Sequence, residues 1–149
     1  MHIKKIHNQG SHLMIDAYEG DPVKLADVSY VKRFLEELPK LINMTVIMKP
    51  QMIDFKALDN PLEDGVSGFT MIAESHISIH TYPRKRYFAF DAFSCNEFDI
   101  KKVIEFMVEY FDVRELVPQT CVRGIDVRST LPGKVQRFRN VQRIVEQQL

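Results

Sequence analysis

Between Gly65 and Cys95 the chain alternates apolar and polar residues with few interruptions. It reads Gly65-Val-Ser-Gly-Phe-Thr-Met-Ile-Ala-Glu-Ser75-His-Ile-Ser-Ile-His80-Thr-Tyr-Pro83, and then, after a short basic stretch, Asp91-Ala-Phe-Ser-Cys95. Alternation at a period of two marks half-buried strands. Three β-rich runs are expected: Gly68 to Ala73, His76 to Tyr82 and Tyr87 to Ser94. The stretch also sets serines, two histidines and a cysteine among apolar residues, where a polar group costs free energy unless it is bonded or used.

The flanks supply further elements. Residues His12 to Glu19 read as a strand that tolerates an edge, and Met44 to Met52 as a second strand candidate. Asp21-Pro22 offers a helix cap and first-turn proline. Val28, Val31, Phe34, Leu35, Leu38, Leu41 and Ile42 recur at three and four, predicting a helix from about Val23 to Asn43 that Pro39 kinks or ends. Asp54 to Asp64 is acidic, broken by Asn-Pro, and reads as a loop. Ile100, Val103, Ile104, Met107, Tyr110 and Phe111 predict a second amphipathic helix capped by Asp99. Arg114 to Val127 supplies one or two more strands. The tail from Gly133 places Val135, Phe138, Val141 and Val145 at near-helical spacing among basic residues, a short docking helix with a solvated face. Together these predict an α+β fold, a two-layer α/β sandwich of helices on one face of an antiparallel sheet.

Length and charge narrow the function classes. A chain of 149 residues with 45% hydrophobic content is expected to form a single domain, residues 1–149, with an ordinary core. Lys+Arg and Asp+Glu both number 20, which argues against a nucleic-acid partner and favours self-association. Cys95 and Cys121 are too few for a disulfide scaffold. No apolar run approaches membrane-spanning length and the N-terminus has no apolar leader core, so the expectation is a cytoplasmic protein without a membrane partner. His76 and His80, four apart on a strand, have Cα atoms about 13 Å apart, too far to share one ion, so no metal site is expected.

Gly-Val-Ser-Gly, Glu-Ser-His-Ile-Ser-Ile-His-Thr and Asp-x-Phe-Ser-Cys, in this order and over about thirty residues, resemble the self-cleavage and active-site region of the prokaryotic S-adenosylmethionine decarboxylase proenzymes. That resemblance implies a pyruvoyl-dependent carboxy-lyase of polyamine biosynthesis. Its members cut themselves, here between Glu74 and Ser75, into a β chain of residues 1–74 and an α chain of residues 75–149. Ser75 matches the precursor of the pyruvoyl cofactor, a ketone that forms a Schiff base with the substrate amine and accepts the electrons released with carbon dioxide. His80 matches the histidine that removes the proton triggering ester elimination, and Ser67 the serine that assists it. Cys95 matches the cysteine that protonates the product carbanion.

The resemblance also implies a homodimer, with the sheets of two protomers packed in an αββα arrangement. Spacing points the same way. Ser75 and His80 are separated by five residues, about 16 Å if extended, so His80 is out of reach of its own Ser75. Sites are therefore expected at a symmetric interface, with Ser67 and His80 of one protomer acting on Ser75 and Cys95 of the other.

Two positions depart from the family pattern. Where the family reads Phe-x-Pro-x-Gly-Val-Ser-Gly, this chain has Pro61-Leu-Glu-Asp-Gly-Val-Ser-Gly. Where it reads Trp-Pro-Glu, with the glutamate accepting from the ribose hydroxyls, this chain has Tyr82-Pro83-Arg84. Tyr82 can stack on a base, but Arg84 offers no acceptor. Asp59, Glu63 and Asp64 would suit a substrate with a cationic tail. Tyr82, Glu63, Asp64 and Arg84 are therefore the candidate substrate-binding residues. The substrate stands open between S-adenosylmethionine and a basic amino acid, ornithine or arginine. A non-catalytic paralogue that stays uncut is the alternative outside enzymology. A serine hydrolase is disfavoured, because the Gly-x-Ser-x-Gly elbow is absent.

Overall fold

A computed structural model describes residues 10–73 and 75–123. Glu74, expected at the cleavage point, and the tail from Gly133 lie outside the described residues. The described chain runs β1 (Gly10–Tyr18), α1 (Pro22–Ala26), α2 (Val28–Leu41), β2 (Val46–Phe55), β3 (Gly65–Ile72), β4 (Ser75–Tyr82), β5 (Tyr87–Ser94), α3 (Ile100–Phe111) and β6 (Glu115–Arg123). The strands form one antiparallel sheet in the order β2-β3-β4-β5-β1-β6. The α+β class read from the sequence is the class observed.

The expected long helix is two. Asp27 interrupts it with extended backbone, and its carboxylate accepts the Ser29 and Tyr30 amides as the cap of α2. A side chain that satisfies two orphan amides makes the break cheaper than continuing. Pro39 sits in the last turn, two residues before the helix ends at Leu41. The end is closed by Asn43 in the left-handed conformation, with Met44 donating to the Pro39 carbonyl at 2.7 Å and Asn43 to that of Lys40 at 3.2 Å. The expected acidic loop is shorter than its composition suggests, since β2 carries on through Asp54 and Phe55. Of the one or two strands expected after Arg114, the described residues contain β6.

The helices cover one face of the sheet. Leu13, Ile15 and Ala17 of β1, Ile77 and Ile79 of β4, and Phe88 and Phe90 of β5 point into this layer and are buried. Phe34 of α2 sits at its centre, 4.9 Å from the Phe111 ring, 6.0 Å from Phe90 and stacked on Phe106 at 5.6 Å. Burying one such ring stabilises the fold by about 1.5–3 kcal/mol. Thr81 is the polar tie within this core. Its hydroxyl accepts the Val66 amide at 2.9 Å and donates to the Leu25 carbonyl at 2.8 Å, fastening β3, β4 and α1 together.

The outer strands of the described sheet, β2 and β6, each contain a proline. Pro50 lies where the β2–β3 register shifts between Met48 and Gln51, and the Thr70 hydroxyl donates to the Met48 carbonyl there at 2.7 Å. Pro118 lies in β6 opposite Ile15. Proline has no amide to give a neighbouring strand and belongs at sheet edges.

Helices α2 and α3 are also joined by a reciprocal pair: Tyr30 donates its hydroxyl to the Tyr110 carbonyl at 2.9 Å, and Tyr110 donates to the Tyr30 carbonyl at 3.0 Å. Burial, with the Glu37 charge adding to it, raises the Tyr110 hydroxyl from 10.0 to about 12. The folded state thus holds this proton more tightly than the unfolded chain. Its contribution to stability is complete below pH 10 and is lost as the pH climbs to about 12. Chemical denaturation across the alkaline range should show falling stability, and a shallower fall in Tyr110→Phe.

Candidate active site

The alternation of β4 decides where its polar residues go. Ile77, Ile79 and Thr81 are buried under the helices, while His76, Ser78, His80 and Tyr82 lie on the opposite face, which no helix of the described chain covers. Ser67 opposes His80 directly across the β3–β4 ladder. The pair is bonded, with His80 Nδ1 2.9 Å from Ser67 Oγ. Ser67 is a strand residue, half-buried, and not part of a turn.

Ser75 is elsewhere. It opens β4, paired with Ile72, and its Oγ accepts the Cys95 amide at 3.0 Å. Cys95 follows β5 and is half-buried. The register of β4 against both neighbours is continuous along its length. No bulge or turn shortens the path from Ser75 to His80, which stays at about 16 Å for five strand residues. By alternation Ser75 also falls on the helix-side parity. The four expected catalytic residues therefore form two pairs, Ser67–His80 and Ser75–Cys95, at different ends of one strand.

The expected substrate-binding residues divide as well. Tyr82 and Glu63 line a hollow of about 120 Å³ on the open face together with Phe55, Gly65, Ser67 and Thr81. Asp64 and Arg84 line a neighbouring cleft of about 210 Å³ with Asp54 and Lys56. Glu63 is bonded to Lys85 at 2.6 Å, and that ammonium lies 5.0 Å from the Tyr82 ring centre. Asp64 accepts the Ala57 amide at 2.8 Å, and Asp54 pairs with Lys56 at 2.8 Å. The acidic loop thus has its carboxylates largely occupied. Tyr82 stacks on Tyr87 with centroids 5.6 Å apart. The Tyr87 hydroxyl donates to Asp16 at 2.5 Å, and burial and this bond push its pKa upward.

Two neighbours of the hollow escaped the sequence reading. Phe55 was hidden in what reads as a loop, yet β2 carries it onto the open face next to Tyr82 and Glu63. Lys85 gave no signal, because its role depends on the turn that brings it over Tyr82. A wider apolar hollow of about 310 Å³ adjoins the pair, lined by Gln51, Ile53, Ser67, Gly68, Phe69, Ser78 and His80. Among the described residues no cluster of three or more potential metal ligands occurs.

Gly65 separates the two border hollows and touches both. A Cβ there would lie 1.7 Å from the Thr81 carbonyl oxygen. That oxygen belongs to the sheet backbone and cannot move aside. Gly65→Ala should therefore cost about 3 kcal/mol or more, measured by denaturant unfolding.

Comparison with known proteins agrees with this architecture. Residues 11–124 match the family model described as S-adenosylmethionine decarboxylase. The S-adenosylmethionine decarboxylase proenzyme of Pyrococcus furiosus is 33% identical over 118 residues, covering 78% of this chain and 80% of that protein. The proenzyme of Thermodesulfovibrio yellowstonii is 36% identical over 130 residues, covering 85% and 90%. The crystal structure of the adenosylmethionine decarboxylase from Aquifex aeolicus shares the fold, with a TM-score of 0.67 at 24% identity over 91% of this chain and 99% of that one. The chain belongs to the S-adenosylmethionine decarboxylase family. Among the described residues no helix is long and apolar enough to cross a membrane.

Proposed function

We propose that this chain is a self-cleaving proenzyme that becomes a pyruvoyl-dependent carboxy-lyase acting on S-adenosylmethionine, with each active site shared between two protomers. The observation that carries this reading is the bond from the Cys95 amide to Ser75 Oγ, which joins residues twenty apart in sequence. That contact supports assigning Ser75 as the nucleophile and Cys95 as the acid of one site. Family membership and the proenzyme names of the relatives support the same reading.

In the cleavage, Ser75 Oγ attacks the Glu74 carbonyl carbon. The peptide bond becomes an ester and the Ser75 nitrogen takes up a proton. Loss of the Ser75 Cα proton to a base then expels the Glu74 carboxylate, and water releases ammonia from the dehydrated residue, leaving a ketone at position 75. His80 is the base we assign. With Nδ1–H donating to Ser67, its Nε2 lone pair is available on the open face. Because β4 holds His80 away from its own Ser75, the proton it removes is that of the partner protomer.

The surroundings of Ser75 fit the group to be made there. It begins a strand, is partly accessible, and has an amide already directed at its side chain. Once formed, the pyruvoyl group supplies the electron sink for loss of carbon dioxide. Cys95 then delivers the proton that replaces the lost carboxylate. Tyr82 and Phe55 offer aromatic surface for a purine base, with Glu63 beside them as a hydrogen-bond acceptor. Decarboxylation of ornithine or arginine remains the second reading, favoured by Arg84 standing where the family pattern has a glutamate. Ion pairing of Glu63 with Lys85 and of Asp54 with Lys56 reduces the negative charge available there to hold a cationic tail.

Mass spectrometry of the purified protein should find two fragments, residues 1–74 and 75–149, the second blocked by a ketone. An intact 17.4 kDa species would instead support a non-catalytic paralogue. Mixing Ser75→Ala with His80→Ala chains should restore a substantial part of the activity that each lacks alone; no recovery would rule out shared sites.

Carboxyl-labelled S-adenosylmethionine, ornithine and arginine, assayed by trapped carbon dioxide, decide the substrate. We expect release from the first, and a rise in KM of about tenfold in Phe55→Ala, the equivalent of about 1.4 kcal/mol of stacking. Release from a basic amino acid alone would replace the first reading with the second.

A further inference from the structure

We propose that Arg123 receives the α-carboxylate of the substrate, with the Phe93 ring as the floor of that subsite. This rests on the decarboxylase reading but not on the choice of substrate. S-adenosylmethionine, ornithine and arginine all carry the same amino-acid head.

The site is built where β1, β4, β5 and β6 come together at one end of the sheet. Gly10 opens β1, and the Phe93 ring lies against it: a Cβ there would fall 2.5 Å from Phe93 Cε2 and 2.8 Å from the Ser94 carbonyl oxygen. Arg123 is the ladder partner of Gly10 on β6. With no side chain at Gly10 to block it, the Arg123 guanidinium carbon comes within 4.3 Å of the Phe93 ring centre. A guanidinium resting on an aromatic ring keeps donors available for a carboxylate. The imidazoles of His12 and His76 flank the same ring, each with its centroid 5.9 Å away. Asp91, the carboxylate of this neighbourhood, is bonded to His12 at 2.9 Å. Among the described residues Arg123 forms no ion pair. The cluster thus presents an exposed cation over an aromatic floor, with its own carboxylate already taken.

Its position suits the chemistry. Phe93 pairs with His76, the residue after Ser75, and Cys95 lies two residues beyond Phe93. The carbon of residue 75 that becomes the ketone is its Cα. That atom lies in the sheet, so the helix-side parity of the Ser75 side chain does not shield it from a substrate on the open face. Strand spacing puts the Phe93 Cα about 6 Å from it. The amine and carboxylate of an amino acid share one carbon, so a group that holds the carboxylate must stand close to where the amine attaches. Arg123, on a long and exposed stem over Phe93, meets that requirement. Loss of carbon dioxide draws negative charge away from the carboxylate. The bond to Arg123 is therefore strongest before the step, and its loss should raise KM without lowering kcat.

Two analogues of S-adenosylmethionine separate this role from a structural one. One lacks the amine and keeps the carboxylate; the other lacks the carboxylate and keeps the amine. Calorimetric titration of the self-cut protein reads the binding of each without turnover. The corresponding analogues of ornithine or arginine take their place if the labelled assay selects one of those substrates. We expect Arg123→Met to cut itself normally, to bind the carboxylate analogue about tenfold or more weakly, and to bind the other as the wild type does. Arg123→Lys should recover part of the loss, and KM should rise in step with kcat undiminished. Equal weakening for both analogues would make Arg123 structural and overturn the assignment, as would no weakening for either. Those outcomes, in protein that cuts itself and releases carbon dioxide, leave the decarboxylase reading standing. A wild type that stays uncut would overturn both.

Discussion

Extended backbone sends successive side chains of β4 to opposite sides of the sheet, and it holds residues five apart at a fixed distance of about 16 Å. The rest of the molecule is arranged around these two facts. Alternation delivers Ile77, Ile79 and Thr81 to the helices and His76, Ser78, His80 and Tyr82 to the other side. The fixed distance separates Ser75 from His80. One strand therefore contributes Ile77 and Ile79 to the core while holding the Ser67–His80 and Ser75–Cys95 pairs apart. Either property would be lost if β4 bent, and its uninterrupted register against β3 and β5 prevents that.

The two faces of the sheet are stabilised by different means. On the helix side apolar burial dominates, and Phe34 with its aromatic neighbours contributes more than any polar contact there. On the open face three polar pairs form within the chain: His12 with Asp91, Tyr87 with Asp16, Ser67 with His80. Such pairing matters little to stability while the face is wet, since exposed pairs contribute roughly 0–1 kcal/mol. It matters much more when a second layer covers it, because a buried polar group without a partner is costly. The three pairs spare an apolar cover the need to find new partners for those groups.

The sequence made the strands around the motif and the third helix legible because period-two and period-3.6 patterns survive in the residues themselves. It misplaced features that depend on local competition. Asp27 breaks the first helical stretch because its carboxylate caps the next one, and the apolar spacing on either side gives no sign of the break. Phe55 was concealed by acidic neighbours that suggested a loop, although ladder bonds to Gly65 hold it extended. The motif named Ser67, Ser75, His80 and Cys95, and the structure joins them as two pairs. It said less about the borders, where Glu63 is held by Lys85, and where Arg84 belongs to a cleft different from that of Tyr82. Those assignments depend on turns that place side chains from separate elements side by side.

The prolines in β2 and β6 have a consequence for how such a chain behaves in a crowded solution. A six-stranded sheet with zero formal charge has little electrostatic repulsion to keep copies apart. Edges of free ladder groups would invite addition of strand to strand, a process with no natural end. Pro50 and Pro118 each remove one rung from the outer ladder, and the register shift at Pro50 bends its edge away from a straight template. Growth sideways is thereby discouraged at both borders. The same two residues that look like flaws in the strands therefore guard the described sheet against open-ended growth into a fibre.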